Sequence, residues 1–141
     1  MHNRINNIAT ISIGDIKMTH KEECEFTIET TDGEICPVRT AQKIFEGKWK
    51  LIILYYLSLK PTRFNELQKL IPNISHGVLS LQLKELEKTR MITRKVYNEI
   101  PPKVEYSLSE TGEKFLPAMN VLTDFGKEYI KTHNVKFIKS E

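Results

Sequence analysis

Residues 75–108 read SHGVLSLQLKELEKTRMITRKVYNEIPPKVEYSL, and a change of period inside this stretch decides the fold. Leu79, Leu83 and Leu86 recur at i, i+4 and i+7, which puts apolar side chains on one face of a helix. Ser75 stands just before them, and its hydroxyl suits the N-cap, where it can accept from backbone N–H groups of the first turn. From Ile92 the period falls to two. Ile92, Arg94 and Val96 alternate with Thr93, Lys95 and Tyr97; Val104, Tyr106 and Leu108 alternate with Lys103, Glu105 and Ser107. Two alternating runs around Asn98-Glu99-Ile100-Pro101-Pro102 predict an antiparallel hairpin. The prolines, which cannot donate to a ladder, belong in its loop.

Working upstream, Pro37 suits a first helical position because its missing N–H would have no partner there. Val38, Ala41, Ile44 and Phe45 then recur at helical spacing, and Gly47 ends the helix. A second helix is expected from about Lys48 to Leu59. It carries Trp49, Ile52, Ile53, Tyr56 and Leu57 on one face and Leu51, Leu54 and Tyr55 on the other, so it should be central and buried. Pro61 ends it, and Thr62-Arg63-Phe64 reads as a brief extended link. Phe64, Leu67, Leu70 and Ile71 form a short amphipathic helix, closed by the turn Pro72-Asn73. Downstream, Ser109 should cap a last helix reaching about His133. Its stripe is Phe115, Ala118, Met119, Leu122, Phe125 and Tyr129, and Pro117 should bend it or sit near its first turns. Helix–turn–helix followed directly by a hairpin is a winged helix–turn–helix, a mainly α fold with a small β-hairpin wing.

The chain has 141 residues, enough for one domain with a real core. It is 40% hydrophobic and 28% charged, as a soluble globular protein is, and no apolar run nears the ~20 residues of a membrane span. The N-terminus lacks a signal-peptide pattern, and two cysteines make no disulfide scaffold, so a reduced, cytoplasmic protein is expected. The net charge of +3 is unevenly spread. Residues 1–35 hold three basic and seven acidic side chains, residues 36–108 hold thirteen and six, and residues 109–141 hold five of each. Residues 1–35 lack helical periodicity and are expected to be an acidic extension, either mobile or forming a short strand and turn from Thr27 to Gly33. Residues 36–133 form the domain and 134–141 a tail.

The basic middle points to a negatively charged partner. The helix from Ser75 to about Thr89 turns its leucines inward and offers Ser75, His76, Gly77, Ser80, Leu81 and Lys84 outward at its N-terminal end, where a helix enters the major groove of DNA. Gly77 allows close backbone approach, and the helix N-terminus suits phosphate. Arg94, Lys95 and Lys103 on the hairpin and Arg63 ahead of the supporting helix complete the expected contacts with double-stranded DNA. The last helix has more apolar width than a monomer of this size needs, and Gly126 inside it suits close packing. A two-fold homodimer with recognition helices about one DNA turn apart, ~34 Å, is expected.

Cys36-Pro37-Val38, Gly47-Lys48-Trp49-Lys50-Leu51-Ile52-Ile53-Leu54, Arg63-Phe64-Asn65-Glu66-Leu67, Ile74-Ser75, Leu79, Leu83-Lys84-Glu85-Leu86-Glu87 and Pro101-Pro102-Lys103-Val104-Glu105-Tyr106-Ser107-Leu108 resemble, in order and spacing, the HxlR-type bacterial transcription regulators. The resemblance covers about residues 36–130. It implies a dimeric DNA-binding regulator of MarR-like winged-helix architecture, with the first and last helices building the dimer and the Ser75–Thr89 helix reading DNA. It also implies that a cysteine at the place of Cys36 serves some members as a sensor, by thiol modification or an inter-subunit disulfide.

Independently of that resemblance, Cys36 precedes a helix N-terminus, with Arg39 nearby, a setting that favours thiolate and hence response to an oxidant or electrophile. The plainer role is a small apolar residue at the helix start. Cys24 is a candidate resolving partner. The spacing of His20, Cys24 and Cys36 fits no metal-ligand pattern, and neither metal nor cofactor is expected. The sequence has no glycine-rich phosphate loop, nucleophile elbow or HExxH, so no enzyme is expected. Two other readings stay open: a regulator responding to a small aromatic ligand between dimer helices, with Tyr55, Tyr56, Phe115 and Phe125 lining the pocket, and a winged helix that binds an acidic protein. Repression is the default sign for a small regulator without an activation surface.

Overall fold

A computed structural model describes residues 33–139. The chain runs α1 (Pro37–Ile44), α2 (Lys50–Leu59), β1 (Thr62–Arg63), α3 (Phe64–Leu70), α4 (His76–Lys88), β2 (Ile92–Tyr97), β3 (Lys103–Leu108), α5 (Glu110–Glu113) and α6 (Leu116–Thr132). The strand and turn expected from Thr27 and the role suggested for Cys24 fall outside the described residues, apart from Gly33. The helix–turn–helix is α3 and α4, the wing is β2 and β3, and the expected mainly α winged fold is the one observed.

One core unites these parts. Ile53, Leu54 and Leu57 of α2 meet Leu67 of α3, Leu79, Leu83 and Leu86 of α4, and Ile92 and Tyr106 of the wing. Ile71, Ile74, Met91 and Met119 complete it. Sealing a leucine or isoleucine from water contributes about 1.5–3 kcal/mol, so the largely apolar α2 works as the keel against which the other core elements are set. Trp49 packs half-buried against this core just before α2, which begins at Lys50 rather than Lys48.

Two local features depart from the sequence reading. Thr62-Arg63 is a true strand: it adds to the wing as a third member, in the order β1-β3-β2, with Thr62 opposite Tyr106 and Arg63 opposite Glu105. The link thereby finds backbone partners that an isolated dipeptide would lack. The Ser109-capped helix is two helices. Ser109 accepts from Gly112 N–H at 2.9 Å and caps only the one-turn α5. Pro117 has no N–H to donate back across Lys114-Phe115, so the helix restarts with the proline in the first turn of α6. The apolar width expected to exceed what one copy needs on the last helix does lie open. Of the 17 residues of α6, only Met119 is buried.

Gly112 marks a joint that the sequence did not announce. A Cβ there would overlap the Met91 carbonyl oxygen. The α5 backbone rests on the bend between α4 and the wing. Ser109 ties the same bend, donating its N–H to the Met91 carbonyl at 3.1 Å and its hydroxyl to the Arg90 carbonyl.

Candidate nucleic-acid interface

The N-terminal end of α4 stands open. Asn73 takes the left-handed conformation (φ 65°) in the turn after α3, which asparagine tolerates better than most residues. Ser75 is extended, and its hydroxyl accepts from Val78 N–H at 3.2 Å, as its cap position predicted. The first-turn N–H groups have no carbonyl before them within the helix, and the side chains around them are exposed: Ser75, His76, Gly77, Leu81 (53% exposed) and Lys84. Ser80 is half-buried. The space where Gly77 would carry a Cβ is empty to 4 Å. His76 does not stand free, since its ring packs on Phe64 of α3, centroids 4.5 Å apart.

The back of α4 is tied down by a pair the sequence reading missed. Lys50 Nζ lies 2.7 Å from Glu85 Oε2, and the lysine side chain is only 9% exposed. A charge so nearly buried must be paired. The bridge therefore fixes α4 against the start of α2 and engages the Glu85 carboxylate.

The wing sorts its cations by face. Residues directly opposite in a ladder share a side of the sheet. Lys95 lies opposite Glu105 and Tyr97 opposite Lys103, while Arg63 flanks Glu105 from β1. Arg63, Lys95, Tyr97, Lys103 and Glu105 therefore occupy one face. Arg94 lies opposite Tyr106, on the other face with the buried Ile92, although Arg94 itself is exposed. The three hairpin cations that the sequence grouped are thus divided. Lys103 is half-buried: its Nζ is 3.8 Å from Glu105 Oε2 and 4.7 Å from the Tyr97 ring centre. Lys95 Nζ is also 4.7 Å from that ring, and the Tyr97 hydroxyl donates to Glu105 Oε1 at 3.1 Å. The parity of positions 95, 97, 103 and 105 was the signal that would have found this cluster.

A second exposed surface is apolar. No residue of helix α1 is fully buried, and Val38 is 72% exposed. Along α6, Val121 (69%), Leu122, Phe125 (67%), Tyr129 and Ile130 lie open. A Cβ on Gly126 would meet no atom within 4 Å beyond its own helix, so within one copy nothing crowds it. Cys36 is exposed at the N-cap position of α1, where its carbonyl, not its thiol, accepts from Thr40. The aromatics considered as a ligand pocket fall into separate pairs: Tyr55 with Tyr56, Phe115 with Phe45, and Phe125 with Tyr129. Among the described residues, no three His, Cys, Asp or Glu side chains gather as a metal site, and no helix is long and apolar enough to cross a membrane.

Comparison with known proteins matches residues 44–134 to the HxlR-like helix-turn-helix family. The HTH-type transcriptional regulator YdeP of Bacillus subtilis (strain 168) is 49% identical over 98 residues, 70% of this chain and 77% of its own length. Among solved structures, the reduced form of the redox regulator HypR is similar with a TM-score of 0.64 and 38% identity, over 67% of this chain and 93% of that one. The reduced form of the transcriptional regulator YodB from B. subtilis gives 0.60 and 29%, over 72% and 99%.

Proposed function

The chain belongs to the HxlR-like helix-turn-helix family of transcriptional regulators, and from that premise we propose that it is a homodimeric, sequence-specific repressor acting on double-stranded DNA in the cytoplasm. The observation that carries this reading is the open end of α4 beside the cationic wing, with every leucine of the α4 stripe sealed in the core. Seated in the major groove, α4 presents His76, Gly77, Ser80, Leu81 and Lys84 to base edges. Arg63, Ser75, Arg94, Lys95 and Lys103 hold the backbone and set the register. Residues 36–133 make the binding and dimerisation unit, with α1 and α6 closing against a second copy. Residues 1–35 and 134–141 are appendages.

Salt titration of fluorescence anisotropy on a labelled promoter duplex tests the reading. Several phosphate contacts predict a steep linear fall of log affinity with log salt. A flat response, or no binding at low ionic strength, refutes it.

The exposed Cys36 at the edge of the apolar surface is the candidate input, and a redox regulator stands among the solved relatives. Oxidation of Cys36 would alter α1 and so the dimer that spaces the two α4 helices. Cys36→Ser should bind the operator as the parent does and lose its response to diamide; a retained response removes Cys36 as the sensor.

A further inference from the structure

The wing carries a carboxylate where a phosphate-binding surface would gain most from being purely cationic. Glu105 sits on the middle strand of three. Arg63 is its neighbour on one side and Lys95 on the other, and Lys103 reaches it from two residues upstream on the same face. The Tyr97 hydroxyl donates to it, and the Tyr97 ring holds both Lys95 and Lys103 at 4.7 Å. One half-buried anion thus shares its face with three cations, paired to Lys103 and flanked in register by Arg63 and Lys95, beside the Tyr97 ring.

We propose that Glu105 is an internal counter-ion of the wing, a built-in stand-in for phosphate that lowers the affinity of this face for any polyanion. The proposal rests on the wing meeting DNA as set out above. Duplex binding is driven largely by release of counter-ions as lysines and arginines neutralise phosphates. A fixed carboxylate within reach of the same cations weakens that release and repels the incoming phosphate. Affinity for arbitrary DNA is then held down, and base contacts from α4 carry a larger share of operator binding. Glu105 is a positioning residue, acting through Lys103, Lys95 and Arg63.

The experiment compares wild type, Glu105→Gln and Glu105→Asp on a random-sequence duplex by anisotropy across salt, and on a heparin column by elution salt, with thermal melting to show that all three are folded. Glutamine keeps the shape and an acceptor for Tyr97 but removes the charge. It should tighten duplex binding about 3- to 10-fold near 0.1 M salt, steepen the log–log slope by about 0.5–1, and elute later from heparin. Aspartate should stay near wild type. A Glu105→Gln variant that binds duplex and heparin equally or more weakly overturns the proposal, because it shows the carboxylate serving only to order the lysines. Wild type that ignores duplex while Glu105→Gln still elutes later from heparin refutes the DNA reading and leaves the counter-ion standing.

Discussion

Two exposed surfaces of this small chain invite comparison. The α4–wing surface displays small, polar and basic groups. The α1–α6 surface displays Val38, Val121, Leu122, Phe125 and Ile130. Both are bare in a single copy, but for opposite reasons. Lysine and arginine heads lose free energy on leaving water and are content exposed until a phosphate replaces the solvent. Exposed valine, leucine and phenylalanine gathered along one helix mark an association surface. The contrast supports the partners proposed above: a polyanion on one side, a second copy on the other. The two surfaces are coupled through α5, which hangs α6 on the bend joining α4 to the wing.

The sharpest way to break the contrast is to attack that joint. Gly112→Ala forces a methyl group into the Met91 carbonyl and should cost about 3 kcal/mol or more, read as a lowered urea midpoint, with both surfaces lost together. Phe125→Glu touches only the apolar surface. It should leave the monomer folded, convert a dimer to monomers by analytical ultracentrifugation, and lower operator affinity at least ~10-fold, since one half-site remains. A Phe125→Glu protein that stays dimeric would move the dimer elsewhere. Lys84→Ala touches only the other surface and should lower operator binding by about 1–3 kcal/mol with no change in melting or mass. Arg94→Ala should have the smallest effect, weakening all duplexes alike and flattening the salt slope by up to about one unit. Placed on the opposite face from Lys95, it reports whether the wing meets DNA by its edge or by the face that carries Glu105.

Much of the α4–wing surface was legible in advance because it rests on local rules. The Ser75 cap, the leucine period of α4 and the alternation of the hairpin each depend on residues within a few positions of one another, and each is present as read. The places where local reading fell short are long-range. Lys50 and Glu85 are 35 positions apart, and no local pattern pairs them. Thr62-Arg63 became a strand only because β3 offered a free edge. The α6 stripe, by contrast, was read as wider than one copy needs, and most of it lies open.

By itself, then, the sequence determined the order of the elements, the inward face of α4 and the charge contrast between front and middle, because chain-local geometry and composition suffice for these. Tertiary structure alone decided the seating of Gly112 on Met91, the pairing of Lys50 with Glu85 and the addition of Thr62-Arg63 to the wing. Those depend on which distant backbone groups and side chains come to share one small space, and a linear pattern holds no distances.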